Sequence, residues 1–184
     1  MELRYLLSAT TFEVTNTNDS GTGSMREAIE DANDNPGQDR IVFARSARGT
    51  IGLSSQLVVT DDLIIEGPGA QKLTVSGENT TRVFAIFPPA FGPIDVTFED
   101  ITIANGLAAD AEPNLDPDAP LVFPGFAFGG GIYNEGSRVV VDGVRMVGNH
   151  SGTLDGPLIA AGGAIANEFG GSLTVINSVF IDNA

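Results

Sequence analysis

Hydrophobic and polar positions along the chain follow two periods, and the change from one to the other predicts its elements. Thr11 to Val14 reads as a short β segment, followed by the polar turn Thr15-Asn16-Thr17-Asn18-Asp19-Ser20-Gly21. Met25, Ala28, Ile29 and Ala32 then recur at the spacing of one helical face. Ser24 is a natural N-cap, and Glu27 three residues later completes a capping box. Asn33 to Gly37, with Pro36 inside, stops the pattern, so a helix is predicted over about 24–34. An isolated helix of about ten residues is marginal in water, so its apolar face must dock on the rest of the chain.

Beyond the helix the apolar runs shorten. Ile41-Val42-Phe43, Thr50 to Leu53, Leu57-Val58-Val59, Leu63 to Glu66 before Gly67, and Leu73 to Ser76 before Gly77 are separated by polar or glycine-containing corners. Val83 to Phe87 and Val96 to Ile103 continue the series, and no second helix with comparable caps interrupts it. Closely spaced short strands predict an all-β chain.

The last third repeats itself. Gly129-Gly130-Gly131-Ile132-Tyr133-Asn134 recurs 33 residues later as Gly162-Gly163-Ala164-Ile165-Ala166-Asn167, and Val139 to Asn149 recurs 34 residues later as Leu173 to Asn183. Val96 to Asn105 is a looser copy, followed by a long insertion at about 107–128. A fixed offset of this size predicts a solenoid whose units stack on their neighbours. Three β segments per unit suit a three-sided parallel coil with Val139, Val141, Val144 and Met146 facing inward. Glycine and asparagine would form its corners. Asn105, Asn149 and Asn183 fall at equivalent places in the copies and read as a stacked, structural ladder.

Composition narrows the function. Lys plus Arg is 9 against 24 Asp plus Glu, a formal charge of −15. Such a surface repels phosphate backbones and anionic membranes, which argues against nucleic-acid binding. Cysteine is absent, which excludes disulfides and thiolate chemistry, and the single histidine, His150, leaves no multi-histidine metal site. No apolar run approaches the roughly 18 residues of a membrane-spanning helix. With 42% hydrophobic and 18% charged residues, the chain is nonetheless a folding sequence.

Two segments carry a resemblance. Asn16 to Asn33, with Ser24-Met25-Arg26-Glu27-Ala28-Ile29 at its centre and Gly37-x-Asp39-x-Ile41-x-Phe43 after it, resembles the S-L-R-E-A-I segment of CSLREA-type bacterial surface proteins. Met25 replaces the usual Leu, and Gly23 stands where many members carry Cys. The glycine-rich and strand–Asn repeats are similar to that family's as well. Taken by itself, the N-terminus is a short frayed leader. Leu3-Arg4-x-Leu6-Leu7-Ser8-Ala9 is also similar to the L-E-x-R-x-L-L-S-A segment near the N-termini of planctomycete extracellular proteins, with Glu2 preceding Leu3 where the pattern has it after. That resemblance implies export. The resemblance implies an extracellular, right-handed parallel β-helix of the pectate-lyase-like fold, usually part of a larger protein, and no single activity. The expected division is a leader at 1–10, an N-terminal cap at 11–49 and β-helix rungs at 50–184. The helix is suited to lie across the open coil end, where backbone groups and apolar lumen would otherwise be exposed. The chain is expected to be a fragment or the N-terminal portion of a longer solenoid, or its last rung needs a partner.

Candidate chemistry is sparse. Asn16, Asn18, Asp19 and Ser20 cluster oxygens of the kind calcium accepts, but they lack the acidic set and distal Glu of an EF-hand, and a turn before the helix is the preferred reading. Asp110, Glu112, Asp116 and Asp118 lie in the insertion with no basic residue beside them; a solvated, Pro-rich loop is preferred over a calcium-organised one. The apolar run Leu121 to Phe128 suggests that the insertion packs back on the coil. Asp100, Asp142 and Asp182 sit at strand borders, where the repeat could align carboxylates for glycoside hydrolysis. The basic candidates for lyase chemistry, Lys72, Arg82, Arg138 and Arg145, have no acidic cluster placed beside them, and His150 reads as a surface residue at a turn. The glycine runs lack a phosphate-binding lysine. No catalytic set is assigned and no cofactor is required, with calcium the one alternative.

The expected function is a non-catalytic extracellular or cell-surface structural or adhesion element. The alternative is a polysaccharide-active lyase or glycoside hydrolase. Expected partners are extracellular polysaccharide or cell-surface components, with the uncapped last strands open to end-to-end self-association.

Overall fold

The computed structural model describes residues 9–90, 92–109, 126–152 and 159–184, and every strand pair in them is parallel. Strand β1 (Thr11–Val14) precedes α1 (Met25–Asn33), the single helix among the described residues. Two triplets follow: β2 (Asp39–Phe43), β3 (Gly49–Gly52) and β4 (Leu57–Val59), then β5 (Leu63–Glu66), β6 (Leu73–Ser76) and β7 (Phe84–Ile86). Next come β8 (Asp95–Glu99), β9 (Thr102–Ala104), β10 (Leu107–Ala108), β11 (Phe126–Phe128) and β12 (Ile132–Glu135). The chain continues through β13 (Arg138–Asp142), β14 (Arg145–Val147), β15 (His150–Ser151), β16 (Ile159–Ala161) and β17 (Ile165–Glu168). It closes with β18 (Ser172–Ile176) and β19 (Val179–Ile181).

These strands form three larger sheets: a first in the order β1-β2-β5-β8-β13-β18, a second in the order β3-β6-β9-β14-β19, and a third in the order β4-β7-β12-β17. From β2 onward the chain visits first, second and third sheet in the same cyclic order. Parallel pairing then lays each round on the one before it, in register. Val96, Val139 and Leu173 lie side by side, as do Phe98, Val141 and Val175, and Ile103, Met146 and Phe180. Alternation within each strand turns one set inward. Leu63, Ile65, Val96, Phe98, Val139 and Val141 of the first sheet are buried, and Phe84 of the third sheet packs tilted against Phe98 with ring centroids 4.8 Å apart. At roughly 1.5–3 kcal/mol per buried side chain of this size, the apolar interior is the dominant favourable term.

The corners repeat too. Asp100, Gly143 and Asn177, each one residue past a first-sheet strand, all take positive φ (52°, 64° and 47°). Asn105, Gly148 and Asp182 do the same after the second-sheet strands (49°, 60° and 50°). A left-handed residue turns the chain sharply, and Gly, Asn and Asp tolerate it best. This register corrects the expected asparagine ladder. Asn105 stacks with Gly148 and Asp182, one residue out of step with Asn149 and Asn183. Its neighbour Gly106 occupies the ladder position, and the Gly106 N–H donates to Asn149 Oδ1 at 2.9 Å.

The insertion expected at about 107–128 lies partly outside the described residues. Its two ends are strands: β10 pairs with β15 and β11 with β16, so the following round makes a matching excursion. Neither pair shows a sequence repeat, because two- and three-residue strands hold too few positions. Ala127 is buried and Phe128 stacks on Tyr133, centroids 6.5 Å apart, so the end of the apolar run packs back on the sheets.

Helix α1 buries Met25, Ala28, Ile29 and Ala32 against β1, β2 and β4. Ser24 caps it through Glu27 N–H at 3.2 Å. The returning Glu27 carboxylate accepts from Gly23 N–H at 2.6 Å, one residue earlier than in a capping box, because Ser24 N–H already donates to Gly21 O. The helix also completes the outer edge of the third sheet. Asn33 Nδ2 donates to Val58 O (2.9 Å), Asn33 Oδ1 accepts from Thr60 N–H (2.8 Å), and Arg26 Nη1 donates to Gln56 O (2.9 Å). Side chains thus fill ladder positions that a further strand beside β4 would otherwise take.

Replacing Asn33 by Leu leaves Val58 O and Thr60 N–H without these partners. The expected loss is roughly 1–3 kcal/mol of unfolding free energy, read by urea denaturation. An unchanged midpoint would mean that the amide adds nothing to the edge.

Candidate functional site

Two outward-facing constellations contain the chemistry of the described residues. On the third sheet, Leu57, Phe84 and Ile132 point inward, so the intervening row Val58, Ala85, Tyr133 and Ala166 points outward. Tyr133 is the only large member, flanked by two buried alanines, and it gathers Phe87 (centroids 5.8 Å apart), Phe128 and the Arg82 guanidinium, 5.2 Å from its ring centre. Burial is the main reason that the Tyr133 phenol is pushed up to about 12; Glu135 adds to the shift and Arg82 opposes it. Burial also raises the Glu135 carboxyl above its ordinary value.

Arg82 is held by the fold. Its Nε donates to Gly129 O (2.9 Å), Nη2 to Phe128 O (2.8 Å) and Nη1 to Gln56 Oε1 (2.7 Å). It ties the corner between β11 and β12 to the turn before β4, and a guanidinium so engaged positions chain segments. Tyr133 was not identified from the sequence. The signal was a single aromatic at an outward position of the Gly-Gly-x-Ile-x-Asn repeat, where the next copy has Ala166.

The second constellation is a row of carboxylates. Glu66, Glu99 and Asp142 occupy one register position on β5, β8 and β13, between inward Ile65, Phe98 and Val141 and the corner residues. Adjacent strands lie about 4.8 Å apart, so three like charges stand side by side. Arg40 pairs with Glu66, and Asn177 Nδ2 donates to Asp142 Oδ1 at 3.0 Å. The expected alignment of Asp100, Asp142 and Asp182 is different: Asp100 lies in the corner after the first sheet, Asp142 in the carboxylate row, and Asp182 in the corner after the second.

Asn16, Asn18 and Asp19 form a turn before α1. Asn16 Oδ1 accepts from Asn18 N–H (3.0 Å) and Asn16 Nδ2 donates to Thr22 O (2.9 Å). Both Asp19 oxygens are engaged, one by Arg26 Nη2 at 2.6 Å and the other by the Ser54 hydroxyl and N–H. Burial would raise the Asp19 carboxyl, but the Ser54 and Arg26 hydrogen bonds outweigh it and hold the group below its ordinary value. Asp110, Glu112, Asp116 and Asp118 lie outside the described residues. Among the described residues no group of three or more His, Asp or Glu side chains is arranged to hold a metal ion. Arg138 pairs with Asp95, lowering the Asp95 carboxyl first through that hydrogen bond; both side chains are about half exposed, so the pair adds little to stability. Lys72 is exposed, Arg145 is half-buried, and His150 lies in β15, whose N–H donates to Gly106 O, where a turn was expected. No helix among the described residues is long and apolar enough to cross a membrane.

Two outcomes follow from these charges. Asp19 titrates below its unfolded value, so its contribution is complete above about pH 4 and is lost as pH falls through the lower folded value. Asp19→Asn should cost roughly 1–2 kcal/mol at pH 7, with the gap from the parent closing below about pH 4 in denaturation at each pH. A gap that stays constant with pH would rule out the carboxylate as its source. Glu99→Gln removes the central like charge and should raise the melting temperature by a degree or more, in the range of about 0.2–1 kcal/mol, at low salt but not at high salt.

No family model matches the chain, and no curated protein or solved structure matches it either.

Proposed function

We propose that the chain is a structural or adhesion module of an extracellular or cell-surface bacterial protein, built as a right-handed parallel β-helix with α1 as its N-terminal cap. The observation that carries this reading is the in-register stacking of rounds. Buried polar side chains in the later rounds are bonded within and between rounds: Asn134 to the Ser137 backbone and to Asn167, Ser137 Oγ by accepting from Ile94 N–H, and Asn149 to Asn183. Cyclic visits to three parallel sheets are what a three-sided coil requires. Crossovers between parallel strands are right-handed in nearly all proteins, which supports the handedness. The strong negative charge and the resemblance to CSLREA-type proteins support a soluble, exported spacer. Fold alone assigns no activity, because sites are grafted on folds.

The carboxylate row favours the second reading, a polysaccharide-active enzyme, in one respect. Retaining glycosidases need two carboxyl groups about 5–5.5 Å apart, close to the spacing of adjacent strands. Against it, Arg40 and Asn177 engage the two outer members of the row.

Incubation with neutral and acidic polysaccharides, followed by co-sedimentation and by assay of reducing and unsaturated ends, separates the readings. The module reading expects no new ends and expects surface labelling of intact cells that make the protein. New ends that disappear in Glu99→Gln would establish the enzyme in its place.

A further inference from the structure

Asp39 opens β2 at an inward position, in line with Leu63, Val96 and Val139, and is 0% exposed. A carboxylate taken out of water normally meets a cation or a full set of N–H donors. Among the described residues Asp39 forms no ion pair: its neighbour Arg40 turns to the outer face and pairs with Glu66. Asp39 Oδ1 accepts from Thr10 N–H at 2.8 Å, and both oxygens accept from the one Nδ2 of Asn35 at 2.9 Å. An ionised carboxylate offers about four acceptor sites, so two donor nitrogens leave it under-supplied.

The backbone donor of that pair sits at a boundary. Thr10 O accepts from Arg40 N–H (2.9 Å) and the Thr10 hydroxyl accepts from Asn35 Nδ2 (3.1 Å), so nitrogen, carbonyl and side chain of this residue are all engaged. Strand β1 begins at the next residue, Thr11. On the other side Ala9 is exposed and belongs to no strand or helix. The chain thus passes from solvent to anchorage across the Ala9–Thr10 bond. Ser8 and Ala9 are small residues, the kind that leader-removing peptidases accept before the bond they cut.

We propose that the Ala9–Thr10 bond is a processing site, cut by an endopeptidase that removes the leader during export, and that the new Thr10 α-ammonium pairs with Asp39. Hydrolysis adds one water across the amide. Ala9 leaves with the carboxylate, and the Thr10 amine takes up a proton at neutral pH. The nitrogen keeps its place beside Asp39 Oδ1 and changes from one N–H to three, which gives the buried carboxylate a counter-charge. Hydrogen bonds between ionised partners are roughly twice as strong as neutral ones. Neighbouring bonds do not serve. A cut before Ala9 leaves a residue between the ammonium and Asp39, and a cut after Thr10 removes the N–H and hydroxyl that Asp39 and Asn35 hold. The cleavage rests on the extracellular reading, whereas the ion pair rests on the geometry around Asp39.

Two measurements test it. Mass spectrometry of the chain recovered from the outside of cells that make it should find Thr10 as the first residue. An exported chain that begins anywhere else overturns the cleavage and leaves the extracellular reading in place, whereas a chain retained inside the cell with residues 1–9 attached removes both. For the ion pair, the chain is released from a fusion so that it starts at Thr10, and its melting temperature is compared with and without acetylation of the α-amine. Lys72→Arg in every sample confines the acetyl group to the N-terminus, because Lys72 is the only lysine. The acetyl amide keeps one N–H for Asp39 and loses the charge, so the free amine should melt higher by about 3 °C or more. Equal melting overturns the pair. Asp39→Asn should abolish the difference, and a difference that survives assigns the ammonium to another acceptor and overturns the role of Asp39. If Asp39→Asn does not fold, the acetylation comparison decides alone.

Discussion

Parallel, in-register pairing is the constraint from which the rest of this structure follows. A strand that pairs in parallel with its counterpart one round later puts equivalent residues over each other, so whatever one round does at a position its neighbour must accommodate. An apolar residue at an inward position meets another, as with Phe98, Val141 and Val175. An inward asparagine must meet a partner for its amide, as Asn134 meets Asn167. Leaving such an amide unpaired would cost more than the bond returns when made. A corner that needs a left-handed residue needs one in successive rounds, and Asp100, Gly143 and Asn177 supply it with three residue types. The repeated sequence is thus the chemical consequence of the pairing.

The outer edge of the third sheet, at β4, is covered by two kinds of contact from α1. At α1 the amphipathic face covers apolar side chains while Asn33 and Arg26 supply hydrogen bonds to the edge of β4. Both parts are needed: an apolar cover alone would leave backbone groups of the edge unsatisfied, and bonds alone would leave the interior wet. Asp19 joins the same arrangement, binding Arg26 and Ser54 together, so the turn that resembles a cation loop in the sequence functions as a brace beneath the helix.

Legibility in the sequence followed the same physics. Strand–strand offsets were readable where a round carries large or unusual residues, as in Gly129 to Asn134 and Gly162 to Asn167, which pair as β12 and β17. The helix was readable because its cap, apolar spacing and stop are all local. The ladder was misplaced by one residue, since Asn105 and Asn149 look alike in sequence and only the left-handed φ of Asn105 and its equivalence to Gly148 distinguish them. The short strands β10, β11, β15 and β16 carry no period at all. The outward constellations were hidden for another reason: Glu66, Glu99 and Asp142 are far apart in sequence, and only the register brings them together.

That carboxylate row shows what the pairing rule costs on the outer surface. Inside, like over like is favourable, because apolar surface is removed from water and amides are complementary to themselves. Outside, like over like is unfavourable for charge. Twenty-four acidic residues against nine basic ones leave too few cations to interleave, so Arg40 neutralises Glu66 while Glu99 stands between two further carboxylates. Water and salt at the surface weaken this repulsion to a fraction of what burial of Phe98 and its neighbours contributes. The fold therefore tolerates on its outer face a pattern that its interior could not hold, and the net negative charge of the chain can accumulate there while the stacking beneath it remains intact.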